Sequence, residues 1–378
     1  MSGLLAHARE HGPRCVALLR ELVEIESPST DAAAVQALAV RLASELEGLG
    51  LRCELLPVQG AGPILQARSA AAGPHSPAVM LLGHLDTVWP LGTLARRPVR
   101  QEGDRLHGPG SYDMKAGLAI VVTALELLRE RGPLPPVCVF WTPLEELGCG
   151  PYRARMLDEM RASRACLGFE PAAPGGALKT ARKGAGSFLL RARGHSAHSG
   201  SDFALGRSAI LELARSVLEA SAFTDVGRGL TVNVGVIRGG IRPNVVPDLA
   251  EAELDVRYPT LASGRELQQR LLAMRAETPG VALEIEGALG YPPLERTPQV
   301  AALFASACEA AAELGLTLDE VAVGGASEAS FAAGLGLPTL DGLGADGAGA
   351  HAEHEHVLLS SLPERAALTA ALLERLTR

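Results

Sequence analysis

The chain has 378 residues, 47% of them hydrophobic but only 3% aromatic, and its formal net charge at pH 7 is −8. This length predicts one large core or, more commonly, two domains. The acidic balance without a basic cluster argues against nucleic acid or an anionic membrane as a partner, and no apolar run is long enough to span a membrane.

The start of the chain, Met1 to Arg20, has no uninterrupted apolar segment before a small-residue cleavage site. We therefore expect a helix of the mature protein there and no export signal. The six cysteines form no C-x-x-C pair, which predicts reduced thiols. Together these features predict a cytoplasmic protein.

Two amphipathic helices are predicted first. Leucine and valine recur at helical spacing over residues 4–24, and a second helix is predicted from Asp31 to Leu49, where glycines end it. Leu51–Val58 is predicted to be a strand, with Pro63–Ala67 as its pairing partner.

The next stretch, V-M-L-L-G-H-L-D-T-V, is typical of a strand that leads into a site. Val79–Leu82 is apolar without alternation, which favours a strand buried in a parallel sheet. His84 and Asp86 follow at a spacing that puts both on one face, at the end of the strand where open α/β sheets bind ligands. An imidazole is a good zinc ligand, and a nearby carboxylate commonly orients it. A capped strand end facing solvent would give the same pattern, so other residues must decide.

Carboxylates adjoin three further predicted elements, one helix and two strands. Asp113 precedes the apolar helix Leu118–Leu128, where a plain helix cap would also explain an acid. Glu145 and Glu146 follow the predicted strand Val137–Trp141; they could form a solvated loop, or one could bind a metal while the other acts as a base.

Glu170 follows another predicted strand, Ala165–Phe169. Four segments in succession thus place a carboxylate or imidazole at the end of a strand or in a tight loop. Chance placement of so many metal-binding groups is improbable, and the set favours a metal site.

Four motifs in this order resemble a known family: G-H-L-D-T-V, G-P-G-S-Y-D-M-K-A-G, L-E-E-L-G and G-F-E-P. The family is that of the dinuclear zinc metallopeptidases and deacylases, which includes glutamate carboxypeptidase, acetylornithine deacetylase and succinyl-diaminopimelate desuccinylase. The resemblance covers nearly the whole chain and is strongest to the glutamate carboxypeptidase-like branch. It implies an α/β fold: a catalytic domain with a central mixed sheet flanked by helices, plus an inserted α/β sandwich.

The domain boundaries implied are residues 1–179 and 293–378 for the catalytic domain and 180–292 for the insert. Strand-like and helical segments alternate in the insert, over Gly186–Arg193, Ala209–Ala220, Leu230–Ile237 and Leu249–Tyr258. The resemblance makes the insert a lid and dimerisation domain.

Three residues of the insert fall at functional positions of the family. The resemblance implies that His198 reaches the active site of the partner subunit and that Asn244 and Arg257 contact substrate. His195 is interpreted as an exposed loop residue, and an arginine beside a strand, such as Arg257, is otherwise most often part of a surface ion pair.

Three histidines near the end compete for the role of last metal ligand, His351, His354 and His356. The family pattern selects His351, in its G-A-H context, and leaves the other two as loop or helix-start residues. The segment before them, Thr339–Gly344, is predicted to be a strand leading into a glycine-rich loop.

The resemblance implies two zinc ions per subunit, with Co²⁺ or Mn²⁺ as substitutes. One ion would take His84, Asp113 and Glu170, and the other Asp113, Glu146 and His351, so that Asp113 bridges. The bond from Asp113 to Met114 is expected to be cis.

Three further residues receive catalytic roles by resemblance. Glu145 would be the general base, Asp86 would orient His84, and His198 would stabilise the oxyanion of the transition state. The implied enzyme is a homodimer that hydrolyses an amide or peptide bond next to a free carboxylate, in a small molecule or short peptide.

Two alternative functions remain open. An N-acyl-amino-acid deacylase of the acetylornithine deacetylase type is the first, and a non-catalytic dimeric metal-binding module is a distant second. Tyr291 stands where the glutamate-releasing member carries an arginine, which leaves the bound amino acid undetermined.

Overall fold

A computed structural model describes residues 3–73 and 76–377. Met1 and Ser2, at the start of the first predicted helix, lie outside the described residues, as do Pro74, His75 and Arg378. The chain forms two compact units. The first comprises Met1–Ala181, Arg296–Ala322 and Ser327–Arg378, and the second Arg182–Glu295 with Val323–Ala326. The predicted boundaries, 180 and 292, fall close to these, and the functions predicted for the two parts stay predictions.

The described residues form ten α-helices, and none combines the length and apolarity needed to cross a membrane. In chain order they are α1 Leu4–Glu24, α2 Ala32–Gly48, α3 Thr93–Arg96, α4 Ala116–Arg131, α5 Arg153–Ala162, α6 Ala209–Ser221, α7 Leu261–Ala273, α8 Pro298–Glu313, α9 Ala329–Gly334 and α10 Ser361–Thr377.

Eighteen strands lie within the same residues. They are β1 Arg52–Leu56, β2 Ile64–Arg68, β3 Val79–His84, β4 Arg100–Glu102, β5 Arg105–His107, β6 Val137–Thr142, β7 Ala165–Gly168, β8 Leu178–Arg182, β9 Gly184–Arg193, β10 Ala197–His198, β11 Thr231–Gly239, β12 Val245–Val246, β13 Leu249–Tyr258, β14 Ala282–Tyr291, β15 Glu320–Val323, β16 Thr339–Leu340, β17 Gly347–Ala348 and β18 His356–Leu358.

The first unit is built on a six-stranded mixed sheet with the order β1-β2-β6-β3-β7-β16. β3 runs parallel to both β6 and β7, whereas β2 pairs antiparallel with β6. Every residue of β3 and β6 is buried, which explains their apolar sequences. The predicted α/β fold with a mixed central sheet and flanking helices is confirmed.

The helix α4 is buried along most of its length, with every residue from Ala116 to Leu125 inside the core. A helix that is apolar on all sides is stable only when neighbours cover it, and α1 and α10 both pack against α4. The start of α4, directly after the Asp113 loop, is therefore fixed by the core of the unit.

The register of the parallel strands brings their carboxyl ends to one edge. His84 of β3 lies opposite Thr142 of β6, and Leu82 lies opposite Gly168 of β7. The strand β3 runs two residues further than predicted, through Gly83. A side chain there would collide with Met114, since a Cβ atom would lie 2.6 Å from its Cε.

The second unit is a four-stranded antiparallel sheet with the order β11-β13-β9-β14, and α6 and α7 pack on it. Its core includes Leu213 of α6, Leu254 and Tyr258 of β13 and Leu267 of α7. α7 and β14 are not among the predicted elements. The alternation in β14 was readable, and α7 begins with a capping box at Thr260.

Replacing Gly117 by alanine should destabilise the first unit. A Cβ atom there would lie 2.2 Å from the main-chain oxygen of Phe169 and 2.8 Å from Met114 Cε. Overpacking of this kind typically costs about 1–3 kcal/mol, so we expect the thermal midpoint to fall by several degrees in calorimetry.

Gly12→Ala is the matched control, because Gly12 also lies in a helix, and no described atom beyond its chain neighbours and the backbone of its own helix would come within 4 Å of the added Cβ. It should raise stability by about 0.5–1 kcal/mol. An unchanged midpoint for Gly117→Ala would contradict the close approach of α4 to Phe169.

Candidate metal centre

The candidate site lies at the carboxyl ends of β3, β6 and β7, where the sequence analysis placed it. β3 ends at His84, a short 3₁₀ turn after β6 carries Glu145 and Glu146, and Glu170 follows β7. The strand register alone brings these three segments to one edge of the sheet.

Asp113 joins two imidazoles that come from distant parts of the chain. Its Oδ1 lies 3.3 Å from His84 Nε2, and its Oδ2 lies 3.2 Å from His351 Nε2. The peptide bond from Asp113 to Met114 is cis, as predicted. One carboxylate thus presents a separate oxygen to each histidine.

Each histidine also faces a second carboxylate. His84 Nε2 lies 3.6 Å from Glu170 Oε1, and His351 Nε2 lies 3.0 Å from Glu146 Oε2. The side chain of His84 is almost fully buried, whereas that of His351 is 51% exposed. The two sets share Asp113, so all five predicted ligands meet in one place.

The backbone of His351 has a left-handed conformation, with φ 60°. His354, by contrast, is exposed. His356 begins strand β18, where its ring lies 5.1 Å from that of His107. The prediction that His356 is a loop or helix-start residue was therefore wrong, because antiparallel pairing with β5 makes it part of a sheet.

Asp86 contacts both the ring of His84 and the turn that carries Glu145 and Glu146. Its main-chain oxygen lies 3.0 Å from His84 Nδ1 and its Oδ1 lies 3.4 Å from the same nitrogen. Its carboxylate also accepts hydrogen bonds from Ser29 Oγ at 2.6 Å and from the backbone N–H groups of Glu145 and Glu146 at 3.1 and 3.2 Å. Asp86 therefore contacts the ring of His84 and accepts hydrogen bonds from the backbone of the Glu145–Glu146 turn, and its orienting role stays a prediction.

Glu355 is a buried carboxylate that the sequence analysis missed. It accepts hydrogen bonds from Trp89 Nε1 at 2.8 Å and from the backbone N–H groups of Gly110, Tyr112 and Asp113 at 2.9 to 3.0 Å. These contacts fix the loop that carries Asp113. Nothing in the sequence separates Glu355 from the exposed Glu353 two residues earlier.

Two further buried ionisable groups support the surrounding scaffold. Lys115 Nζ donates to the main-chain oxygen of Ile25 at 2.6 Å, and burial lowers the pKa of this lysine to about 7. Glu328 accepts hydrogen bonds from Thr142 and Tyr152, and burial raises its pKa to about 7. Both groups tie loops of the site to neighbouring elements.

The site concentrates negative charge. Hydrogen bonds with Asp113 and Glu146 raise the pKa of His351 to about 10. Burial alone would lower the pKa of His84, but Asp113, Asp86 and Glu170 raise it well above its ordinary value. Burial and the charge of Glu170 likewise raise the pKa of Glu145 well above its usual range.

The chemistry of these donors fits divalent metal ions. Two imidazoles and several carboxylates converge without cysteine, which is a catalytic rather than a structural set. One donor atom from each of His84, Asp113 and Glu146 lies within 4.8 Å of the others. A cation placed among the crowded carboxylates would offset their mutual repulsion, so the residues fit a metal cofactor.

Comparison with known proteins decides the family. Residues 80–375 match the family Peptidase_M20, described as peptidase family M20/M25/M40. The chain belongs to this family. It is therefore a hydrolase that acts on amide bonds and uses a metal cofactor.

Two curated relatives of this M20 chain align over most of both lengths. Carboxypeptidase G2 from Pseudomonas sp. (strain RS-16) is 29% identical over 98% of this chain and 91% of the relative. Succinyl-diaminopimelate desuccinylase from Rhodospirillum centenum is 30% identical over 96% of this chain and 97% of the relative. Among solved structures, aminopeptidase PepT from Bacillus cereus has the same fold, with a TM-score of 0.81 at 22% identity, covering 97% of this chain and 99% of that one.

The remaining predicted site residues of this M20 protein belong to the second unit. His198 Nδ1 accepts hydrogen bonds from the backbone N–H groups of Gly200 and Ser201, both at 3.1 Å. His198 is the register partner of Val245, which follows Asn244 directly. Arg257 forms a two-pronged ion pair with Asp255, at 2.8 and 2.9 Å. This pairing is the ordinary alternative noted for Arg257, and its contact with substrate stays a prediction.

Glu355→Gln should weaken metal binding at the centre. The amide keeps the shape but has one acceptor oxygen for four donors, so the Asp113 loop loses its fixed position. Substitutions behind a ligand typically weaken metal affinity 10- to 100-fold, and we expect at least about a tenfold loss in chelator competition.

Glu353→Gln is the control, because Glu353 is exposed and only two residues away. It should bind metal as the parent chain does. Equal affinities for both variants and the parent would show that Glu355 does not position Asp113.

Proposed function

We propose that this chain is a dizinc carboxypeptidase of the glutamate carboxypeptidase type, which hydrolyses an amide or peptide bond next to a free carboxylate. The observation that carries the proposal is the division of the Asp113 oxygens between His84 and His351. A shared carboxylate between two histidine–carboxylate sets supports two ions rather than one. The similarity to carboxypeptidase G2 over 98% of the chain supports the type of reaction.

In this proposal His84, Asp113 and Glu170 hold one ion, and Asp113, Glu146 and His351 hold the other. When bound, the two ions would polarise the scissile carbonyl and lower the pKa of a water molecule. The protein keeps the carboxylates and imidazoles in place through buried strands and through the contacts of Asp86 and Glu355.

Glu145 is the proposed general base and acid. Its backbone N–H is held by Asp86 at 3.1 Å, and the next residue is a proposed ligand, so its carboxylate stays beside the centre. Burial and Glu170 raise its pKa well above the usual range. In the proposal this carboxylate takes a proton from the water molecule and later passes it to the leaving amine.

His198 is the proposed donor to the oxyanion. Its Nδ1 accepts two backbone hydrogen bonds, so in the neutral ring the proton resides on Nε2. Nε2 can then donate to an oxygen that becomes negative only in the transition state. The exposed side chain makes this nitrogen available to another subunit.

A homodimer is the proposed assembly, and the second unit offers a surface for it. Among the described residues its outer strand β11 pairs with another strand of the sheet on one side only. Nearby apolar side chains are exposed, including Leu218 at 72%, Ile237 at 60% and Ile241 at 85%. Ile210 of α6 lies against Gly239 and Gly240 at the end of β11, which joins helix and strand into one surface. An exposed edge with apolar neighbours favours pairing with a second copy.

An N-acyl-amino-acid deacylase is the second candidate. The desuccinylase relative, as similar in identity as carboxypeptidase G2, favours it. Comparing kcat/KM on peptides with a carboxy-terminal glutamate and on N-acyl amino acids separates the two. The first candidate requires the higher value on the glutamate peptides.

Glu145→Ala should remove activity without removing metal. Loss of a general base typically lowers the rate about 10²- to 10⁴-fold, whereas Glu145 is not a proposed ligand. Steady-state kinetics and elemental analysis on the same preparation test both statements. The neighbouring variant Glu146→Ala is the contrast and should lose metal; metal loss in Glu145→Ala would exclude its assignment as base.

Mixing subunits tests whether His198 acts across the dimer. His198→Ala and Glu145→Ala should each be nearly inactive, but a hybrid dimer would contain one site with both residues intact. Activity should therefore reappear after the two variants are mixed and allowed to exchange. Glu145→Ala alone, taken through the same exchange, is the control. Hybrids that stay inactive, or a fully active monomer in light scattering, would exclude action in trans.

A further inference from the structure

A second group of metal-binding side chains lies on two packed helices of the first unit. α1 carries His7 and His11, and α4 carries Glu126 and Glu130. Residues four apart lie on the same face of a helix, so each helix presents one pair. Glu130 is near the end of α4, about 20 Å along the helix axis from its start beside Asp113. The group is therefore separate from the centre described above.

The side chains of this group already contact one another. Glu130 Oε2 lies 2.8 Å from His7 Nε2, and its Oε1 lies 3.3 Å from His11 Nε2. The two rings meet edge to face, with centroids 4.9 Å apart. One donor atom from each of these three residues lies within 4.8 Å of the other two. Little movement is needed to bring all three donors around one ion.

Glu126 lies behind His11. Its Oε2 is 3.8 Å from His11 Nδ1, the nitrogen on the other side of the ring from Glu130. A carboxylate in this position commonly orients a metal-bound histidine. Arg14 pairs with Glu45 and with Glu126 Oε1, the latter at 3.4 Å.

We propose that His7, His11 and Glu130 bind one divalent transition-metal ion, with Zn²⁺ as the test case. Two imidazoles and a carboxylate suit zinc and its neighbours, whereas calcium and magnesium prefer oxygen ligands alone. The side chains of His7 and Glu130 are 33% and 48% exposed, which leaves access for the ion and for a completing water.

An ion bound there would link α1 to α4. These helices pack together in the core of the first unit, and α1 is the first of the described helices. A ligand that binds only the folded state raises its stability by mass action. The bound ion would thus stabilise the packing of α1 against α4, and it would take no part in catalysis.

The test counts metal ions in the untagged, fully loaded protein. The parent chain and the double variant His7→Ala/His11→Ala are equilibrated with Zn²⁺, freed of excess, and analysed for zinc. We expect one equivalent per chain fewer in the double variant. The main centre is the same in both proteins, so its content cancels and the result does not depend on the proposed function. His195→Ala, which removes an exposed histidine of the second unit, should bind as much zinc as the parent.

Two further measurements keep the outcome clear. Glu130→Gln preserves the helix and should weaken the extra site at least about tenfold, whereas Glu47→Gln on the exposed face of α2 should not. Zn²⁺ should also raise the thermal midpoint of the parent more than that of the double variant. Because each protein is compared with itself without zinc, this test holds even if the alanines stabilise α1. Equal zinc content in the parent and the double variant would overturn the proposal. So would a site at which Mg²⁺ or Ca²⁺ displaces the bound Zn²⁺ as readily as free Zn²⁺ does.

Discussion

The site depends on the orientation of the Asp113 carboxylate, in which each oxygen faces a different imidazole. Asp113 lies in a loop, and a free carboxylate would rotate between many orientations. Here α4 begins directly after the loop and is fixed by the core, while Glu355 accepts hydrogen bonds from the loop's backbone. His84 comes from a fully buried strand. Rigid elements thus support each group that must meet at Asp113.

The same arrangement concentrates charge that the fold must tolerate. Burial and the repulsion between neighbouring carboxylates both oppose ionisation, and burial together with the charge of Glu170 raises the pKa of Glu145 well above its usual range. Hydrogen bonds from backbone N–H groups offset part of this charge in the first unit. Asp86 and Glu355 accept several such bonds, so these two carboxylates are stabilised by donors that the backbone holds in place.

The sequence was sufficient for the groups at strand ends, because buried parallel strands are easy to recognise and their carboxyl ends meet by geometry. This reasoning placed His84, Glu146 and Glu170 at one edge, although their role as ligands stays a prediction. It could not find Glu355, since its donors Tyr112 and Asp113 lie more than 240 residues away in sequence. The choice among three late histidines needed the family pattern for the same reason.

The order of the chain has a consequence for synthesis. His351 and Glu355 come after the other residues of the site in chain order, and α10, which packs against α1 and α4, follows them. A ribosome-bound chain therefore carries the acids of the centre long before it carries the second imidazole or the carboxylate that fixes their loop. Contacts this distant in sequence form late in folding. A nascent chain that does not yet include His351 and Glu355 would thus lack part of the site, and amide hydrolysis would begin only after this late segment has folded onto the strands.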